Sequence, residues 1–223
     1  MHIYKFSLFR WLTACAFALA LSTASAENPI PPAPAPTLEQ VLGAEVNRFV
    51  EANHVSPPAA CQVLFVGSSS IVKWKDTLAS DMAPIPVINR GFGGSHIEYV
   101  NHWFDQIVAP YQPRAIVFYA GENDIAAGKS ADRVVADFDT FMALKTRVLG
   151  RTPVRARAGK RSDLRYIDVA SLMFQNGKLK DIFGSDDLHM SRAGYMIWTE
   201  AVRAALLSNT EGEARNCRRQ RRE

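Results

Sequence analysis

The sequence predicts an α/β protein, a three-layer sandwich of helices about a parallel sheet, and three observations predict it. Residues 62–66 (QVLFV) and 115–120 (AIVFYA) are nearly continuous apolar runs, as expected of parallel strands covered on both faces. Segments of helical periodicity separate these and the other strand-like runs, so strands and helices alternate. The polar and glycine-rich motifs then follow the strands directly: GSSS after the first, RGFGGS after the second, GEND after the third. Parallel α/β sheets bind their ligands at those carboxyl ends.

The elements justify this in order. Residues 1–26 read as a signal peptide: Lys5 and Arg10 precede an uncharged apolar run at 11–21, and Ala24-Ser25-Ala26 supplies the cleavage pattern. That run falls short of the about 20 residues a bilayer demands. Export to the periplasm or the exterior is expected, with no stable membrane insertion after cleavage. Residues 27–36 (ENPIPPAPAP) form a stiff proline-rich linker. Thr37 and Gln40 make a capping box, and Leu38, Val41, Leu42, Val46 and Phe49 continue an amphipathic helix to about Ala52. Strands are predicted at 62–66, 86–89, 115–120 and 164–169. Helices are predicted at about 97–108 and 131–149, and at 192–207 behind a Ser191 cap. The globular domain is thus 37–208, and 209–223 is a basic disordered tail.

Charge and cysteine content exclude several function classes. Subtracting the two positive charges of the leader and the net two of the tail from the overall +4 leaves a neutral body. No basic face supports nucleic-acid binding. Cleavage removes Cys15 and leaves Cys61 and Cys217, too few for a disulfide framework, so no structural bridge is expected. His96 and His102 lie on different faces of a predicted helix and join no cluster of metal-ligand spacing. No metal or organic cofactor is expected.

The motifs carry the chemistry. A hydroxyl at a strand-to-helix turn sits near unpaired N–H groups and the positive end of a helix dipole, which favours an oxyanion; serines there can also simply cap the helix. The Gly-x-Ser-x-Gly elbow is absent, because Ile71 stands at its second glycine. A nucleophilic serine requires a base, and the base a carboxylate. GSDDLHMSRAGY offers Asp186 and His189 on one loop, a spacing that chance also produces. Gly94 allows a backbone N–H to approach a ligand, or is an ordinary loop glycine. Asn123 offers an uncharged amide donor, or is a turn residue.

Taken together and in order, these residues resemble the SGNH hydrolases, also called the GDSL esterase/lipase family, over residues 62–207. Gly67-Ser68-Ser69 matches the family's Gly-Asp-Ser block, with Ser68 at the aspartate position. NRGFGGS (89–95), Gly121-Glu122-Asn123-Asp124 and Asp186-x-x-His189 match the other three. The resemblance implies a flavodoxin-like sandwich with Ser69 as nucleophile, His189 as base and Asp186 as its orienting acid. It also implies an oxyanion hole made by the N–H groups of Ser69 and Gly94 and the Asn123 amide. One departure is expected to affect the fold. Residues 151–163 (RTPVRARAGKRSD) are too few for a strand and a helix before the last strand, so the sheet is one strand–helix unit short. The last strand then slides in beside the third, or apolar sheet edge is exposed.

The expected function is an exported serine esterase acting on a small-molecule, carbohydrate or lipid ester. The alternative is a non-catalytic remnant that binds carbohydrate or lipid. Trp74, Phe92 and Trp103 are either pocket walls or core.

Overall fold

The structure is a computed structural model and describes residues 37–150, 154–155 and 163–208. The predicted signal peptide, proline-rich linker and basic tail lie outside the described residues.

Thr37 begins the first helix through reciprocal bonds: its N–H donates to Gln40 Oε1 (2.7 Å), and the Gln40 N–H donates to Thr37 Oγ1 (3.3 Å). This is the predicted capping box. The helix behind it is not uniform, because a π-helical turn, Glu39–Gly43, precedes α1, Ala44–Val55. The wider turn re-phases the apolar stripe. Leu38, Leu42, Val46 and Phe49 reach the core, while Val41, predicted in the same stripe, is 59% exposed.

Thereafter strands and helices alternate: β1 (Val63–Gly67), α2 (Ser69–Lys73), α3 (Lys75–Met82), β2 (Val87–Gly91), α4 (Ile97–His102), α5 (Phe104–Ile107), β3 (Ala115–Tyr119), α6 (Glu122–Ala126) and α7 (Ala131–Leu149). Two strands of two residues follow, β4 (Val154–Arg155) and β5 (Leu164–Arg165). A small antiparallel hairpin, β6 (Phe174–Gln175) and β7 (Lys178–Leu179), precedes α8 (Arg192–Leu207). The main sheet is wholly parallel in the order β2-β1-β3-β4-β5, the flavodoxin-like order.

The continuous apolar runs are explained by two cores. Leu64 and Val66 of β1, with Ile116 and Phe118 of β3, face a core closed by residues of α1, α4, α5 and α7. Val63 and Phe65, with Ala115 and Val117, face the other, closed by α2, α3 and α8. Alternate residues serve opposite faces, so every position must be apolar. Each of the Val, Leu, Ile and Phe side chains contributes about 1.5–3 kcal/mol by leaving water. Trp74, Phe92 and Trp103 are all buried core residues. The predicted helix 97–108 breaks at Trp103, whose indole stands edge-on to Phe92 with ring centroids 5.5 Å apart.

The short region after α7 differs from expectation in an informative way. The fourth strand position is occupied, but only by β4, which pairs Val154 with Ile116 and Arg155 with Val117. β5 therefore sits outside β4 and not beside β3. Only eight residues, 156–163, join these two parallel strands, fewer than the dozen or more that a crossover ordinarily uses. The predicted strand 164–169 is likewise cut to two residues, because Ile167 and Val169 turn inward to pack beside the α8 core. The Val169 N–H closes this tight turn onto the Ile167 carbonyl (3.0 Å). Beyond the stubs, Phe118, Tyr119 and Ala120 border a cavity of about 530 Å³, walled also by Phe138, Tyr166 and Trp198.

Cys61 is disulfide-bonded, which corrects the expectation of no bridge. Spacing could not reveal this, since the other cysteines, Cys15 and Cys217, stand 46 and 156 residues away along the chain. Among the described residues no helix is long and apolar enough to cross a membrane.

Candidate active site

Gly67 ends β1 with φ +139°, and a Cβ there would lie 1.8 Å from the Tyr119 carbonyl oxygen. Only glycine lets β1 turn so close to β3. The chain then enters α2 with Ser68 as N-cap and Ser69 as first helical residue. No side chain caps this helix, so helix capping does not account for the serine run. The hydroxyl of Ser68, a residue wholly removed from solvent, instead donates to Glu122 Oε1. The Ser70 carbonyl accepts the Tyr195 hydroxyl (2.8 Å), fastening this turn to α8. Ser69, at the start of α2, has an N–H among those that a helix leaves unpaired.

The second motif is built by its own side chains. Asn89 accepts the Gly91 N–H (2.9 Å) and donates to the Ile71 carbonyl (2.7 Å), holding β2 against α2. Gly94 has φ +66°, a left-handed conformation suited to glycine, with open space where a Cβ would point. One N–H of the Asn123 amide donates to the Ser95 carbonyl (3.2 Å), which draws the Gly94–Ser95 turn and Asn123 together. An amide carries two such donors, so one remains. Asp124, fully buried, accepts the Ile97 N–H (3.1 Å) and Lys129 Nζ (2.8 Å), anchoring the start of α4 behind that turn.

Asp186 and His189 are brought together as their spacing predicted. Asp186 Oδ2 is 2.6 Å from His189 Nδ1, while Oδ1 accepts the N–H groups of His189 (2.9 Å) and Leu188 (3.2 Å). These hydrogen bonds, the imidazole's first, hold the Asp186 carboxyl well below the usual carboxylate range. The loop is pinned at its base, where Ser191 N–H bonds the Ile182 carbonyl (2.8 Å) and Phe183 bridges Met190. His189 Nε2 is buried and makes no hydrogen bond, so Ser69 and His189 are not hydrogen-bonded in this structure.

Sequence reasoning missed Glu122. Its carboxyl is pushed up to about 7, chiefly by burial and further by Asp124, against a smaller opposing effect of His189. The carboxyl is therefore within electrostatic reach of His189 and hydrogen-bonded to the neighbour of Ser69. The signal was present in GEND, a carboxylate directly behind a buried strand. Its partner 54 residues away was not readable. Among the described residues no three His, Cys, Asp or Glu side chains form a metal-binding group. His96 instead stacks on Tyr99 (4.5 Å), and His102 meets Glu39 (2.8 Å).

A flavodoxin-ordered parallel sheet with these motifs at successive strand ends defines the SGNH, or GDSL, hydrolase fold, and solved structures bear this out. The chain is similar to a GDSL-like lipase from Bacteroides thetaiotaomicron, with 17% identity and a TM-score of 0.61 over 74% of this chain and 98% of that one. It is similar to a candidate acylhydrolase from Bacteroides fragilis, with 20% identity and a TM-score of 0.62 over 74% and 97%. A candidate platelet activating factor from Streptococcus pneumonia gives 17% and 0.64 over 74% and 92%. At these identities the likeness establishes the fold. No family model and no curated protein matches the chain.

Proposed function

We propose that this chain is an exported serine hydrolase that cleaves carboxylic esters. His189 takes the proton of Ser69 through Nε2, and Ser69 Oγ attacks the ester carbonyl. The N–H groups of Ser69 and Gly94 and the remaining N–H of Asn123 hold the tetrahedral oxyanion. His189 returns the proton to the leaving alcohol, an acyl-enzyme forms, and water activated by His189 releases the acid. Asp186 keeps Nδ1 protonated and the ring oriented.

The observation that carries this reading is the 2.6 Å contact of Asp186 with His189 Nδ1, which leaves a buried Nε2 with a lone pair to offer. The Asn123 amide and the Gly94–Ser95 turn, already joined, support it. Export is favoured by the leader and by the disulfide at Cys61, since such bonds persist in oxidising compartments. A second reading, a non-catalytic SGNH-like protein that binds carbohydrate or lipid, draws on the missing Ser69–His189 bond and on the shortened strands β4 and β5. Hydrolysis of short-chain aryl esters by the mature chain, lost in Ser69→Ala, is the expected result. Equal rates in the two proteins remove the esterase reading, and a folded but inert wild type favours the second.

A further inference from the structure

Ser68 and Glu122 each stand one residue before a member of the proposed machinery, Ser68 before the nucleophile Ser69 and Glu122 before the oxyanion donor Asn123. They are joined by the Ser68 hydroxyl, which donates to Glu122 Oε1. Beside that bond the Ser68 N–H donates to the Tyr119 carbonyl (2.9 Å). The turn after β1 and the turn after β3 are thus tied twice, once through backbone and once through side chains.

The side-chain tie is not explained by local needs. Ser68 occupies the N-cap position of α2 but caps nothing. Glu122 keeps a carboxyl largely out of water beside a second buried carboxyl, Asp124, an arrangement that burial alone disfavours. Ser68 touches the Glu122 carboxyl, which interacts electrostatically with Asp124 of its own helix, the Tyr119 phenol of β3 and the His189 imidazole of the loop before α8.

We propose that the Ser68–Glu122 bond is a strut that sets the spacing between Ser69 and Asn123, and that Glu122 is thereby a positioning residue for ester hydrolysis. The inference rests on the hydrolase reading and deepens it. The attacking oxygen and the donor that receives the oxyanion come from different strand ends, so their separation depends on what spans those ends. A misplacement of about 1 Å can cost on the order of 10²-fold in rate. A strut of this kind acts on the transition state and leaves substrate binding nearly untouched.

The test is a kinetic cycle on the mature full chain with an aryl ester, using Ser68→Ala, Glu122→Ala, their double variant and Glu122→Gln. Each alanine variant is expected to lose about 10- to 100-fold in kcat with KM changed less than about twofold. The double variant should be no slower than the worse single, because both remove one bond. Glu122→Gln keeps an acceptor for the serine and should stay within about threefold of wild type. Multiplying losses, a wild-type kcat in either alanine variant, or a glutamine variant as slow as the alanine overturns the strut in an active enzyme. A wild type whose turnover equals that of Ser69→Ala overturns the hydrolase reading itself, and the positioning role with it.

Discussion

Asp186 and His189 form a closed pair in which the carboxylate engages the imidazole at Nδ1 and its main-chain N–H at once, by 2.6 and 2.9 Å contacts. The ring cannot turn without breaking the Nδ1 contact, so Nε2 is held on the side away from the carboxylate. Replacing Asp186 by Asn keeps the shape but lets the ring take the wrong tautomer. Turnover on an aryl ester should fall by about 10³- to 10⁴-fold with an unchanged circular dichroism spectrum. A loss below tenfold would show that His189 is not oriented by this carboxylate.

Asn123 holds the Ser95 carbonyl with one N–H, so its replacement by Ala removes both a turn contact and the proposed oxyanion donor. The expected loss is about 10²–10³ in kcat. Asn123→Asp, isosteric but without donors, should be at least as slow. A rapid aspartate variant would exclude an amide N–H from the reaction.

Glu122 makes stability depend on pH in an unusual direction. Its folded-state value is raised from 4.5 to about 7, so between those values the folded protein holds a proton that the unfolded chain has released. Stability therefore declines as pH rises from 4.5 through about 7 and then levels off. Glu122→Gln has no such group. Its unfolding free energy from urea titration should exceed that of wild type across that window, by roughly 3 kcal/mol at full effect. Parallel curves for the two proteins from pH 4 to 8 would contradict a buried carboxyl.

Asp81 shows the opposite sign. Arg192 Nη1 (2.6 Å) and Nη2 (2.5 Å), Trp74 Nε1 (2.8 Å) and Thr77 Oγ1 (2.8 Å) converge on it. Arg192 above all draws it down to about 2. Its contribution is present above the ordinary value of 3.8 and is lost as pH falls through about 2. Asp81→Ala should cost about 2–3 kcal/mol at neutral pH, since it leaves donors of α3 and α8 unpaired. Arg192 lies three residues after His189, so loosening α8 here should also slow the proposed ester hydrolysis. Measuring unfolding and kcat on the same variant checks both.

Gly67→Ala places a methyl group 1.8 Å from the Tyr119 oxygen in a backbone conformation that alanine avoids. A destabilisation of about 3 kcal/mol or more is expected, with much of the protein insoluble on expression. Gly94→Ala meets open space and should cost only about 1–2 kcal/mol of backbone strain. A thermal melt of each separates crowding from strain.

Much of this architecture was legible because local and global demands agree. The Thr37–Gln40 box, α7 at 131–149 and α8 behind Ser191 form as their caps and periodicity dictate. β1 and β3 could be read because burial on both faces leaves them almost wholly apolar, Tyr119 alone carrying a polar group. Of the proposed site, the Asp186–His189 pair follows from a spacing of three within one loop. What escaped depends on distant partners. Residues 164–169 read as a strand, yet Ile167 and Val169 are taken by the α8 core and pairing ends at Arg165. The disulfide at Cys61 and the bond from Ser68 to Glu122 both join residues that no local pattern relates.

The brevity of β4 and β5 carries a consequence for how the molecule opens. Two rungs of pairing hold β3 to β4, and two more hold β4 to β5, whereas β1 is laced along its whole length to both neighbours. Amide hydrogen exchange should accordingly be slowest in β1 and fastest along the outer margin. The seam that unzips first is the one bordering the apolar cavity, so breathing there would widen that cavity while the central strands stay shut.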